Sequence, residues 1–525
     1  MELPTVDDLK DQGESCIEHI PLDDGNDSTE SQSLLLTLWE YKKVVLFSIC
    51  TSFCAILWGF DMGVNVITLS LPGFKLVFGY EYEGELIVGA IWNSLWGAMT
   101  SLGMVVGGVT SGFVADLWGR RAAILAGAIL SAVGVAVEYI AATPSVLLVG
   151  KIINGIAMGI FLSINPAYIS EISPLTLRAP LISLTAFFII VGQMTAIGIG
   201  NTRFGIMDSS AYKVLFAAQW AFPGAIVLFL LFLPESPRYL VKRGRNEDAR
   251  KALSRLHSSK FDISAALSVI QETVTAELEL NNTSVSYLAC FKGADLRRTR
   301  IACAMFFIQQ FTGIALYGQA LYFLTMTGFN VNLAANLAIA GFGAGLIGNI
   351  AAWIFMSYFG RRQILLVGTV INFTILTTLG IAGFYSSNKS ASLYVAIVLN
   401  FIQLIHAPSV SAVSWAISGE VSSVVLRAKT QSLCTIMNAL VTWVFNFITP
   451  YLINTDEANL GTKSAFMWAG LTLVSMVWVW FEMPEIKDLT FDQIDEAFAL
   501  RTPTRKFPRP VKSNVVVPGS KWAAG

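Results

Sequence analysis

Apolar residues come along this chain in near-continuous runs, each close to the roughly 20 residues that carry a helix across a bilayer. Twelve such runs stand near 44–66, 88–111, 122–142, 146–168, 181–200, 214–233, 301–324, 334–357, 364–384, 392–416, 431–453 and 465–483. Polar loops separate them, and one long hydrophilic insert lies at 235–300. Lipid offers a backbone no hydrogen-bonding partner, so each run is predicted to be a helix. The pattern predicts an all-α membrane protein with twelve transmembrane helices. Stretches near 246–256 and 264–280 of the insert have helical composition and mixed charge, which predicts short helices on the membrane surface. Phe491 opens a further amphipathic stretch.

Composition agrees: of 525 residues, 54% are hydrophobic and 14% charged, too apolar for a soluble fold to hide. A net charge of −1 says nothing about partners. Charge placement says more, because the basic short loops and the basic insert all fall on one side of a twelve-span layout. By the positive-inside rule that side is cytoplasmic, with both termini there. Residues 1–40 are acidic and polar and predict a disordered cytosolic tail, as do 503–525. The six cysteines form no metal or disulfide spacing. Asn388-Lys389-Ser390 is a glycosylation sequon in a predicted outer loop, whereas those near Asn281 and Asn282 face the cytosol.

A charged pattern occurs twice, about 250 residues apart. Trp118-Gly119-Arg120-Arg121 returns as Phe359-Gly360-Arg361-Arg362, Glu171 with Arg178 as Glu420 with Arg427, and Pro234-Glu235 as Pro484-Glu485. Such duplication marks two pseudo-symmetric halves, as in transporters that rock one half against the other. The organisation predicted is a first six-helix bundle at 41–233, a cytosolic loop at 234–300, a second bundle at 301–484 and a cytosolic tail at 485–525.

These residues resemble the sugar porters of the major facilitator superfamily over about 45–500. The resemblance rests on Gly112 to Arg121, on Pro166 to Glu171 with Arg178, on Pro234 to Leu240, and on Gln309-Gln310 with Gly313-Ile314. Leu426 to Thr430, Thr449-Pro450-Tyr451, Gly461-Thr462-Lys463 and Arg505-Lys506-Phe507 look most like fungal α-glucoside (maltose-type) permeases, which likewise lack an acid where Ser357 replaces the first copy's Asp116.

Asp61 lies inside the first span, where a charge costs roughly 2.5–3.5 kcal/mol on insertion scales and is kept for a reason. The resemblance implies that it titrates against a basic residue of the fourth span, here Lys151, where the family usually has Arg. Lysine offers a point charge in place of a two-pronged fork. The resemblance further implies a cytoplasmic gate of Asp116, Arg120, Arg121, Glu171, Arg178, Glu235, Arg238, Arg361, Arg362, Glu420, Arg427 and Glu485. It implies sugar contacts at Gln193, Gln309, Gln310, Trp415 and Asn446, since amides bond hydroxyls and an indole packs on a sugar ring. Tyr317, Gln319 and Tyr322 continue the seventh span outward as an expected lid. Glu138, near the outer end of span three, is read as reaching interfacial water without a role, and His406 as a packing residue.

Some expected polar positions depart: Ala186, Ala315 and Gly345 stand there, with Asn349 one turn from Gly345 as a substitute, and span ten's Gly-Pro pair is Ser411-Ala412. That widens the pocket relative to a hexose site. The leading expectation is a plasma-membrane, proton-coupled importer of a sugar such as an α-glucoside, working by alternating access as a monomer without metal or cofactor. The alternatives are a transporter of a non-sugar natural product and a non-transporting sugar sensor. No motif points to an enzyme or to nucleic-acid binding.

Overall fold

The computed structural model describes residues 39–257, 261–282, 287–326, 330–385, 388–422, 426–454, 456–487, 489 and 491–507. The first half supplies α1 (Lys42–Thr68), α2 (Ala90–Trp118), α3 (Arg120–Ile140), α4 (Pro144–Ile172), α5 (Leu175–Asn201) and α6 (Ser210–Phe232). The second supplies α7, which starts at Gly293–Phe311, then α8 (Val331–Tyr358), α9 (Arg361–Ala382), α10 (Ser390–Ser418), α11 (Arg427–Ile453) and α12 (Gly461–Glu482).

Eleven helices among the described residues are long and apolar enough to cross a bilayer, one fewer than the runs predict. The difference is α7. It breaks after Phe311, where Gly313 takes φ +90°, and resumes as Ile314–Gly318 and Ala320–Met326. The left-handed backbone there favours glycine. The first turns of α7 also carry Asp295, Arg297, Arg298 and Arg300, so no single segment reads as a span. α10 has a milder fault, a π-helical segment at Ala407–Ser411 that includes Pro408. Proline removes a ladder hydrogen bond, and such bulges often lie at functional sites.

Glycines set the closeness of the first half. A side chain at Gly107 would strike the backbone of Ile156 on α4, and one at Gly59 that of Ile189 on α5. Backbones this close gain the dispersion and packing that hold helices together in lipid. Between the halves, α2 packs on α11 and α5 on α8.

Arg120, Arg361 and the insert share one end of the bundle, the basic face. At the opposite face a hairpin of β1 (Tyr80–Tyr82) and β2 (Glu85–Ile87) reaches the second half. There Tyr80 donates to Asp456 Oδ2 at 2.6 Å, and Asn454 donates to the Val88 carbonyl at 3.0 Å. Asn201 of α5 donates to Asn336 of α8 at 3.3 Å.

The insert forms helices Pro237–Lys242, Asn246–Leu256 and Ile263–Asn282. The amphipathic stretch expected from Phe491 is helix Phe491–Ala499, and within the predicted disordered tail Phe507 differs from expectation by packing on Phe498. Arg297 donates to the Thr502 carbonyl at 2.7 Å and to Thr504 at 2.9 Å, and Arg298 pairs with Asp495. Basic residues opening α7 therefore clasp the stretch after α12. Residues 1–38 and 508–525, the remainder of the two predicted tails, lie outside the described residues.

Candidate functional site

In the first half the interior holds a charge cluster. The Lys151 ammonium donates to Asp61 Oδ1 at 2.7 Å and stands 3.2 Å from Glu138 Oε2. All three side chains are 2% exposed or less. Gln219 and Asn154 donate to the same Asp61 oxygen at 3.1 and 3.3 Å, and Asn65 donates to the other at 3.3 Å. Asn154 also reaches Glu138 Oε1 at 3.5 Å and accepts from Ser131 at 2.9 Å. The Phe216 ring lies 5.6 Å from the ammonium and closes its remaining side. Buried charges persist only when paired and hydrogen-bonded, and these are.

The sequence reading of Asp61 with Lys151 meets this geometry directly. Its reading of Glu138 as a residue in interfacial water is corrected: the side chain is fully buried against Lys151. The signal was present in the stripe Gly127, Ser131, Gly134 and Glu138, whose helical spacing puts one polar-small face of α3 against α4. Glu138 fits because its neighbour is small: a Cβ on Gly150 would lie 2.7 Å from Glu138 Cγ. Gln219 and Asn154 also escaped notice, being common in membrane helices as packing amides.

The expected sugar contacts form a string. Gln310 donates to Thr442 at 2.7 Å, Asn446 lies one turn further along α11, and Asn446 donates to Ser101 of α2 at 3.2 Å. Hydroxyls and amides thus cross from one half to the other. Gln309 donates to Ser411 at 3.0 Å, tying α7 to the π segment of α10. Trp415 is 45% exposed, with its ring edge-on to Phe306 at 4.9 Å. Gln193 approaches the Met62 sulfur at 3.8 Å. Asn349 is half-buried on α8, one turn from Gly345, whose open side faces Gln403 and Ile190. Tyr317 is buried, with its hydroxyl unbonded and its ring 5.7 Å from His406. His406 Nε2 lies 3.0 Å from the Thr312 hydroxyl, at the break in α7.

The repeated charges form two matching clasps at the basic face. Arg120 grips Glu171 with two bonds of 2.8 and 3.1 Å, while Glu235 accepts from the backbone N–H of Arg120 and Arg121 at 2.9 and 3.3 Å. In the second half Arg361 reaches Glu420 at 3.2 Å, and Glu485 accepts from the N–H of Arg361 and Arg362 at 2.9 and 3.2 Å. Each glutamate caps the free N–H groups of a helix start, where the dipole favours an anion. Both ion pairs close within their own half. Asp116 adds a 3.7 Å contact to Arg120. Arg238 sits on helix Pro237–Lys242. The side chains of Arg178, Arg427 and Ser357 lie outside those described. Among the described residues no cluster has metal-ligating spacing.

Comparison with known proteins bears on this arrangement. The family model for "Sugar (and other) transporter" matches residues 47–498. The chain belongs to this sugar transporter family. The family's relatives include the MFS transporter fmqE of Aspergillus fumigatus, 34% identical over 90% of this chain and 89% of that protein. The general alpha-glucoside permease of Saccharomyces cerevisiae is 31% identical over 95% of this chain and 81% of that one. The proton:xylose symporter XylE, solved with 6-bromo-6-deoxy-D-glucose, shares the fold at TM-score 0.70 and 20% identity, covering 87% of this chain and 100% of XylE. This member of the sugar transporter family is therefore a multi-pass membrane transporter with the major facilitator fold.

Proposed function

We propose that the chain imports a sugar together with protons by alternating access, an α-glucoside being the favoured substrate. The observation that carries this reading is the buried Asp61–Lys151 pair, 2.7 Å apart, in a chain whose interior amides bridge the two halves. A carboxylate inside a membrane protein is costly, and marks a proton or ion path by default. Asp61 would accept a proton from outside while sugar binds between the halves at Gln193, Gln309, Gln310, Trp415, Asn446, Asn349 and Tyr317. Bonds at the opposite face, Tyr80–Asp456 and Asn454–Val88, fit a conformation closed toward the outside. The names of the yeast permeases support the α-glucoside class.

The two clasps at the basic face, with Arg178, Arg238 and Arg427, form the cytoplasmic gate in this reading. Because each pair closes within one half, they would stiffen the halves while these rock. Both termini are cytoplasmic, the membrane is the plasma membrane, and the working unit is a monomer. Asn388 is exposed on the opposite face and is the glycosylation site in this layout.

A second reading, transport of a non-sugar natural product, draws on Ala186, Ala315 and Gly345, which remove hydrogen-bonding groups, and on a 34% identical relative whose name carries no sugar. The test is uptake of labelled maltose, glucose and a glucoside panel in transporter-deficient cells, with and without a protonophore. Accumulation that the protonophore abolishes supports proton-coupled sugar import. No uptake of any sugar would overturn it in favour of the second reading, and uptake of any kind excludes a mere sensor. Asp61→Asn is expected to lose accumulation while keeping exchange.

A further inference from the structure

The cluster around Lys151 contains one carboxylate more than a simple ion pair needs. Asp61 and Glu138 flank a single ammonium, both inside the bundle and away from water. We propose that Glu138 is the counter-ion that takes over Lys151 when Asp61 binds the transported proton, an inference that rests on the proton-coupled reading above.

The geometry prepares that exchange. Lys151 already stands 3.2 Å from Glu138 Oε2, whose one recorded partner is that ammonium, so the second ion pair is in place before the first one breaks. Asn154 touches both carboxylates, at 3.3 and 3.5 Å, so it can follow either one. The lean of Glu138 over Gly150 brings its carboxyl to the lysine without moving a helix. As an O–H bond forms on Asp61, its ion pair with Lys151 breaks and the ammonium shifts the short distance to Glu138. Loss of that proton toward the cytosol reverses the shift. Lys151 stays paired throughout, and this matters because an uncompensated buried charge is strongly destabilising.

Among the described residues Lys151 is the one charged side chain recorded against Glu138. Of the helices packed on α3, α2 carries one charged residue, Asp116 at the basic end, and α4 carries Lys151 and, at the basic end, Glu171. α6 carries Lys213, which lies over the Tyr139 ring at 5.9 Å. Asp61 of α1 faces Glu138 across Lys151 and Asn154.

Without Glu138, protonating Asp61 would leave Lys151 alone. In proteoliposomes holding the purified full-length chain and assayed with labelled maltose, Glu138→Gln should therefore need about tenfold more protons, or beyond, for half-maximal uptake, one unit of pH or more. Exchange at low pH should persist, and Glu138→Asp should restore most of the pH profile, which a merely structural role would not predict. The melting temperature supplies a second arm independent of transport. Wild type should gain stability over Glu138→Gln as pH falls from 8 to 5, because only two carboxylates on one ammonium take up a proton on folding in that range, and Glu138→Asp should follow wild type. A coupled wild type with an unmoved Glu138→Gln pH profile would overturn the counter-ion role alone. An uncoupled wild type would overturn the proton-symport reading, and the melting arm then decides the counter-ion by itself: the same pH dependence of melting in wild type and Glu138→Gln rejects it.

Discussion

Inside its six helices the first half holds three charged side chains in contact, Asp61, Lys151 and Glu138, whereas the second half joins hydroxyls, the amides of Gln309 and Gln310 and the His406 imidazole. In the second set His406 meets Thr312 at the break in α7, and Gln309 meets Ser411 in the π segment of α10. Glycines draw helices together in both halves, at Gly59 and Gly107 in the first and at Gly341 and Gly368 in the second, but α7 has a left-handed break and α10 a π segment. At the basic face the halves share the same clasp, an arginine on a glutamate and a second glutamate on two backbone N–H groups, with one more arginine–glutamate bond and the Asp116 contact in the first half. Repetition is thus kept in the clasps at the basic face and lost in the interior, where one half pairs charges and the other pairs hydroxyls, amides and an imidazole beside interrupted helices.

Breaking the charged side of this comparison should have the largest effect. Lys151→Met leaves two buried carboxylates without a cation, a loss of about 3–5 kcal/mol, and the folded peak in size-exclusion should fall sharply. Adding Asp61→Asn should recover part of it. On the other side, Gly313→Ala forces a side chain onto φ +90° at a cost of about 1–2 kcal/mol, lowering the melting temperature and slowing uptake with an unaltered pH profile. Gln310→Ala removes one hydrogen bond near the interface between the halves, worth about 1 kcal/mol, and should raise the sugar KM about fivefold without changing proton coupling. If any second-half variant moved the pH profile as an Asp61 change does, the division of labour would be wrong.

The smallest effect should come from His257, on the basic face. Burial, then the nearby Lys43, holds its pKa down to about 4 from 6.5. It stacks on Phe261 at 3.9 Å and meets Tyr41 edge-on. A depressed histidine stabilises the fold above pH 6.5 and loses that contribution as pH falls toward 4. Proteolysis of helix Asn246–Leu256 should therefore rise across that window and be flat above it.

The sequence alone determined the helical runs, the two halves, the paired basic motifs and the placing of Asp61 and Lys151 inside spans. Each is written locally, in run length, in recurrence or in a charge placed where lipid penalises it. It also held the stripe that aims Glu138 inward, but position near a span end argued equally for water. Tertiary structure alone decided that Glu138 shares the lysine, that Gln310, Thr442, Asn446 and Ser101 line up across the halves, and that the tail is clasped by Arg297 and Arg298. Those depend on distances between residues tens to hundreds of positions apart, set by how closely glycine-faced helices approach, and no local pattern records that distance.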